Sequence, residues 1–364
     1  MEKAKNSRPL KHYLFRFLGD RFQHAFFRWT FRKNIRQGMV HFPVNHLSVT
    51  RLCFILPTTP FDALFHIDSI FALISRFKKA ENTVICDYRV APYFSKLPNI
   101  GAVWEFDGSE MYAGSRELEN LCSLLGRESC ALCFLLEKNP PLPLLVLAAC
   151  TGAPIRAGFW SRQASPFVNV CVRPGEKATY IAEKNMLLAR LFGAKHSQNN
   201  RWVVSKNSCE EVRYLLEEAG IKFSLSQVGI DATTIFYEFG EQWTERLLHT
   251  LVNEQHVPCY LYVPKNFSDE RLLVWLKKKN IPIISNLSVP QTAALIEQSR
   301  IVVSGKSTLY QLANLLKKPS IGIFREAEKT LYCKPSSQSR GIAFDPRNAD
   351  RALNELHSLL QAAA

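Results

Sequence analysis

The feature that most constrains this chain is the alternation of short apolar runs with longer amphipathic stretches, in two successive series after His46. Parallel strands need a long crossover, most often a helix, so the alternation predicts an α/β protein with parallel sheets covered by helices on both faces. In the first series the runs predict strands over Leu52–Leu56, Thr83–Cys86, Ala102–Phe106, Ala131–Leu136, Pro154–Phe159 and Phe167–Val172, with a helix over Asp62–Phe77. In the second they predict strands over Ser226–Ile230, Cys259–Val263, Pro282–Ser285, Ile301–Ser304 and Ser320–Phe324, separated by helices over Trp243–Glu254, Asp269–Lys279, Pro290–Gln298 and Thr308–Leu316.

A chain of 364 residues is also longer than one core fills, since single cores stop growing near about 250–300 residues. The expected organisation is a basic amphipathic segment over 1–45, a Rossmann-like domain over 46–175, a polar helical connection over 176–222, a second Rossmann-like domain over 223–345 and a closing helix over 346–364. Two such domains facing one another leave a cleft, and ligands of parallel sheets bind at the carboxyl ends of the strands.

Charge is concentrated rather than spread. The net charge is +14, but residues 1–38 hold ten Lys and Arg against Glu2 and Asp20, a surplus of eight. The body is therefore only mildly basic, and a nucleic-acid-coating surface is not needed to explain it. Ten cysteines without regular spacing do not form a disulfide framework. Cys130 and Cys133 lie in a strand-like apolar run, which predicts core thiols in a reducing compartment rather than a metal site. No run reaches the roughly 20 apolar residues of a spanning helix. Pro140–Ile155 comes nearest, with four prolines, and no secretory signal is apparent, so a cytoplasmic location is expected.

From Leu14 the apolar positions Phe17, Leu18, Phe22, Ala25, Phe26 and Trp29 follow steps of three and four, the stripe of a helix. Arg16, Arg21, Arg28, Arg32 and Lys33 flank or oppose it. Phe and Trp beside arginines suit an anionic bilayer surface, where each basic residue adds about 1 kcal/mol. The helix could instead pack on the protein's own body, and aromatic-basic interleaving can also serve RNA. An anionic membrane surface is the partner expected, with no nucleic acid.

Three strand-to-helix turns could carry chemistry. The first is Pro57 to Asp62, with Thr58 and Thr59, where Asp62 is either a helix N-cap or an acid-base group. The second is Ser304-Gly305-Lys306-Ser307-Thr308. It resembles the end of a Walker A loop, but Arg300 stands where the upstream glycine is required, so no triphosphate loop is expected. Amides at a helix start, with Lys306 and two hydroxyls, still favour a phosphate, and Ser307 can also serve simply as a cap. The third is Asp231 to Thr234, whose hydroxyls at a strand end could hold a diphosphate or form an ordinary turn.

In order and spacing these segments resemble the ADP-heptose:lipopolysaccharide heptosyltransferases, the family 9 glycosyltransferases. Arg51 to Asp62 is similar to that family's opening strand and Ser/Thr-x-Gly-Asp turn. Arg156 to Phe159, then Glu183 to Asn185 leading to Gly193, resemble its central signature, with Tyr180 where a histidine is usual. Asp231 to Thr234, followed by Trp243, resembles the first donor loop, and Ile301 to Phe324 resembles the strand, D-T-G-x-x-H loop and helix block. The likeness spans roughly 48–345. It implies a GT-B type fold and transfer of a sugar from a nucleotide diphosphate sugar to a lipopolysaccharide-like or other lipid-linked glycan acceptor, at the inner face of the cytoplasmic membrane and without a metal or other cofactor. It also implies that Asp62 is the general base, that Thr233 and Thr234 bind the diphosphate, and that Lys306, Ser307, Thr308 and Gln311 occupy the donor-binding block.

The departures are specific. Lys306 replaces an aspartate, Gln311 a histidine and Phe61 a glycine, and the family's donor-loop lysine falls near Tyr237 or Glu238. Lys306 could restore that cation from the opposite loop. Two readings stay open: a transferase with a rearranged site, or an inactive pseudo-glycosyltransferase that serves as a binding or scaffolding module.

Overall fold

The computed structural model describes residues 20–30, 32, 44, 48–175, 179–196, 202–221, 227–254, 256–265, 267–334, 336 and 338–362. Contacts divide the chain into two compact units, Met1–Glu176 with Ala182–Asn200, and Lys177–Ile181 with Arg201–Ala364.

The first unit holds a six-stranded parallel sheet formed by β1 (Arg51–Ile55), β2 (Glu81–Asp87), β3 (Ala102–Phe106), β4 (Leu132–Leu135), β5 (Ile155–Phe159) and β6 (Val170–Val172), in the order β3-β2-β1-β4-β5-β6. This is the doubly wound order, in which the connections reverse direction between the first and fourth strands. Strands covered on both faces must be apolar throughout, and Leu52, Cys53, Phe54 and Ile55 of β1 are all fully buried. Parallel register sets Phe54 beside Phe134 of β4, with stacked rings 5.5 Å apart.

The second unit repeats the plan. β7 (Val228–Ile230), β8 (Cys259–Tyr262), β9 (Ile283–Ile284), β10 (Ile301–Ser304), β11 (Ser320–Arg325) and β12 (Ser339–Phe344) lie in the order β12-β11-β10-β7-β8-β9, all parallel. The reversal point here falls between β7 and β10. The closing helix Ala349–Ala362 belongs to this unit and buries Ala352, Leu353, Leu356 and Leu360 in its core.

Several elements differ from the sequence expectation. The helix expected over Asp62–Phe77 is two, Pro60–Leu64 and Ile67–Arg76, separated by a turn at Phe65 and His66. β6 starts at Val170 rather than Phe167, whose carbonyl is taken by the guanidinium of Arg156. The apolar run before β5 is a nine-residue helix, Leu142–Cys150, buried on every side. Its last residue is bonded to Cys122 of the neighbouring helix Arg116–Leu125, a single pairing that the sequence, read as lacking a disulfide framework, did not announce. Spacing in sequence could not reveal this, because the pairing depends on two helices meeting. The other eight cysteines are free, Cys130 and Cys133 among them and buried.

Candidate functional site

In the first unit the turn after β1 lies at the reversal point. Thr59 caps the helix Pro60–Leu64: its hydroxyl oxygen accepts from the Asp62 amide at 3.2 Å, and its O–H donates to Asp62 Oδ2 at 2.6 Å. The cap is thus Thr59, and Asp62, three residues on in the first turn of the helix, keeps an exposed carboxylate. Thr58 is half-buried beside them. Because β1 pairs directly with β4, the loop after β4 adjoins this turn and brings Glu137 and Lys138 into electrostatic range of Asp62. Burial raises the Glu137 pKa, and the charge of Asp62 adds to that. Burial lowers the Lys138 pKa, and Lys184 lowers it further, against the pull of Asp62 and Glu137. Neither Glu137 nor Lys138 was singled out from the sequence, since only the strand order brings them to position 62, whereas Lys184 lies in the segment Glu183 to Asn185 already likened to a family signature.

Of the two segments likened to a family signature, one reaches the turn that follows the helix Pro60–Leu64 and the other braces the chain on either side of β5. Buried Asn185 donates to the Phe65 carbonyl at 3.2 Å and lies 3.3 Å from the His66 ring. Desolvation drops the His66 pKa to about 3, so the ring is neutral. Arg156 is fully buried, its Nε and Nη1 donating to the carbonyls of Phe167 and Ala153 at 2.6 and 2.7 Å.

In the second unit the turns after β7 and β10 flank the reversal point and meet. Asp231, fully buried, is their knot. Its carboxylate accepts from the Thr233 hydroxyl at 2.9 Å, the Thr234 amide at 3.1 Å, the Thr234 hydroxyl at 2.9 Å and the Ser304 hydroxyl at 3.0 Å. A hydroxyl has one proton to give, so in this arrangement Thr233 and Thr234 act toward Asp231. Ser307 caps the helix Thr308–Leu315, with its oxygen accepting from the Tyr310 amide, and its hydroxyl lies 2.6 Å from that of Ser304. Lys306 Nζ stands 3.5 Å from a Glu328 oxygen and 4.7 Å from the Tyr332 ring centre. Burial pulls the Lys306 pKa down, but Tyr332 and Glu328 more than offset that and leave it above the usual lysine value. Gln311, one turn into the helix, is 2% exposed, and its Nε2 has no hydrogen-bond partner among the described residues.

The structure thus brings Thr233 and Thr234 together with Lys306, Ser307, Thr308 and Gln311 within one unit, and sets Asp62, Thr58 and Thr59 in the other. It adds Asp231 and Glu238, whose importance lies in reaching the opposite loop. A groove lined by Arg51, Lys78, Glu81, Asn99 and Trp104 opens at the amino edge of the first sheet. That is the edge away from Asp62, and open parallel sheets bind ligands at the other one.

Near the amino end the helix Asp20–Thr30 packs inward through Phe27, which joins the first unit's core, and through His24, whose ring meets Phe167 edge-on at 6.0 Å. Phe22 and Trp29 are 55% and 64% exposed, and Phe26, Arg28 and Arg32 are exposed too. The guanidinium of Arg32 lies 5.6 Å from the Trp29 ring centre. Arg16, Lys33 and the side chain of Arg21 lie outside the described residues.

Two doubly wound sheets, each with its polar turns at the reversal point, define a GT-B type α/β protein. Solved structures agree in fold. A family 9 glycosyl transferase from Veillonella parvula aligns over 90% of this chain and 100% of its own, at a TM-score of 0.72 and 12% identity. The ADP-heptose LPS heptosyltransferase II of E. coli aligns over 86% and 100%, at 0.68 and 17%. The E. coli heptosyltransferase WaaC with ADP-2-deoxy-2-fluoro heptose aligns over 86% and 100%, at 0.64 and 13%. No curated protein sequence matches the chain. Residues 145–361 match the family model for glycosyltransferase family 9 (heptosyltransferase), and the chain belongs to that family.

Proposed function

We propose that this protein transfers a sugar from a nucleotide diphosphate sugar to a lipid-linked glycan acceptor at the inner face of the cytoplasmic membrane. The observation that carries the reading is the joining of the β7 and β10 turns by Asp231, which puts a helix start, a lysine and a buried amide without a partner among the described residues at one reversal point. Helix starts favour phosphate oxygens, and the E. coli relative was solved with a nucleotide sugar analogue.

In this reading the acceptor hydroxyl attacks the anomeric carbon of the donor. A carbon–oxygen bond to the acceptor forms, the bond to the diphosphate breaks, and Asp62 takes the hydroxyl proton. The ammonium of Lys306 and the amides at the start of the helix Thr308–Leu315 stabilise the charge that grows on the departing diphosphate. No metal or other cofactor is invoked. The outward Phe22, Phe26 and Trp29, with Arg28 and Arg32, support contact with an anionic bilayer, where a lipid-linked acceptor lies. Among the described residues no helix is long and apolar enough to cross a membrane.

One observation favours a second reading, a binding module without turnover: both donor-loop threonines donate their protons to Asp231. A thermal-shift panel of nucleotide diphosphate sugars, followed by an assay of sugar release or transfer for each ligand that binds, separates the two. A shift with turnover supports the transferase, a shift without turnover the donor-binding module, and no shift with any donor rejects the transferase and leaves an inactive scaffold with a closed pocket.

A further inference from the structure

The amide of Lys306 is where a helix-start loop should offer an N–H to an anion, and it already has one. Both carboxylate oxygens of Glu238, near the end of the helix Ala232–Phe239, stand 3.3 Å from that nitrogen. The carboxyl lies directly over Gly305: a Cβ there would meet Glu238 Oε2 at 2.5 Å and Thr234 Cγ2 at 2.9 Å. Gly305 is thus the residue that lets the two loops close around this carboxylate. The charged groups facing it are Asp231 from the β7 turn, Lys306 from the β10 turn, and Glu328 from the helix Glu326–Tyr332 after β11. Two of these are carboxylates that oppose its charge, and the ammonium of Lys306 is turned toward Glu328 and Tyr332.

A second feature marks the place as a binding cradle. Buried Gln311 has an Nε2 without a partner among the described residues. Helical side chains lean toward the amino end of their helix, here the loop that Glu238 covers. A buried donor left unpaired costs about 1–3 kcal/mol, which a ligand oxygen would remove.

We propose that Glu238 is a proton-operated gate and specificity residue of this cradle: ionised, it holds the Lys306 amide in the place of a phosphate oxygen and repels a diphosphate, and on taking up a proton it yields that amide. The proposal rests on reading the second unit as the site of a nucleotide diphosphate donor. Burial above all, with Glu328 and Asp231 adding, pushes the Glu238 pKa up to about 7. The protonated, admitting form is therefore common at neutral pH and falls tenfold with each further pH unit.

The test is titration calorimetry of the full chain with ADP-ribose, UDP-glucose and GDP-mannose from pH 6 to 8.5, a range over which these diphosphate diesters keep their charge. Any that binds should lose affinity about 30-fold across the range, following the protonated fraction of one group. At pH 8 it should also bring close to one proton with it, read from heats in buffers of different ionisation enthalpy. Glu238→Gln, with a neutral side chain at every pH, should bind with a flat profile and no proton uptake. A flat wild-type profile, or one that Glu238→Gln reproduces, overturns the gate and leaves the donor site standing. If neither protein binds any of the three at any pH, the donor site falls and the gate with it. The wild-type proton count requires no variant and stands even if Glu238→Gln folds poorly.

Discussion

A carboxylate has room for about four hydrogen bonds, and Asp231 uses that capacity on one amide and three hydroxyls from two loops. Glu238, two turns further along the same helix, is largely withdrawn from water and has two repelling neighbours, which outweigh one backbone amide and the charge of Lys306, so its ionised form costs stability. Its pKa in the folded chain, about 7, lies above the unfolded value of 4.5. The native state then holds the extra proton between those values, and the associated stability is present in full below 4.5 and lost as pH rises to about 7. Glu238→Gln should therefore melt at a higher temperature than wild type at pH 8, with the gap closing by pH 5. A gap that does not change with pH would refute this account of the carboxyl. For Asp62 the expectation concerns rate. Asp62→Asn keeps an acceptor for the Thr59 hydroxyl but cannot take a proton, so kcat should fall by roughly 10²–10⁴ with the donor dissociation constant unchanged. A loss of less than tenfold would assign the base elsewhere. The Gly-Lys-Ser-Thr loop and the threonine pair were legible because their residue types announce a strand-end turn. Asp231 as a knot and Glu238 as an occupant were not, because each acts across 68 or more residues of chain.

Strands were the most legible elements, since burial on both faces writes itself as unbroken apolar runs such as Leu52–Ile55. Helix ends were less so. The Pro57 to Asp62 turn offers two threonines and an aspartate as caps, and the choice of Thr59 depends on Pro60 fixing the first helical residue. Of the helix expected from Leu14, only Asp20–Thr30 falls among the described residues, and there Phe27 is what turns inward, leaving Phe22, Phe26 and Trp29 outside. Replacing those three with serine should lower affinity for phosphatidylglycerol vesicles at least tenfold, since burying one such side chain contributes about 1.5–3 kcal/mol, and should leave the melting temperature unchanged. Equal binding by wild type and variant in a vesicle sedimentation assay would dismiss the helix as a membrane contact.

At the scale of the whole chain, the two units share one strand order, and the polar turns of each gather at its reversal point. A donor that binds as proposed should slow amide hydrogen exchange over 231–238 and 304–311 while leaving 57–62 unchanged until an acceptor is added. At 100 times its dissociation constant it should stabilise the chain by about 2.7 kcal/mol. Protection spread evenly over both units would contradict a donor site confined to the second. The repeated order also separates what is fixed from what is free. Three of the four edge strands, β3, β9 and β12, lead into segments that carry none of the chemistry-bearing side chains, whereas β6 leads toward Lys184 and Asn185. Insertions at those rims would leave the central machinery untouched, so related chains can remodel their periphery toward new acceptors while the middle rows of each sheet stay under constraint.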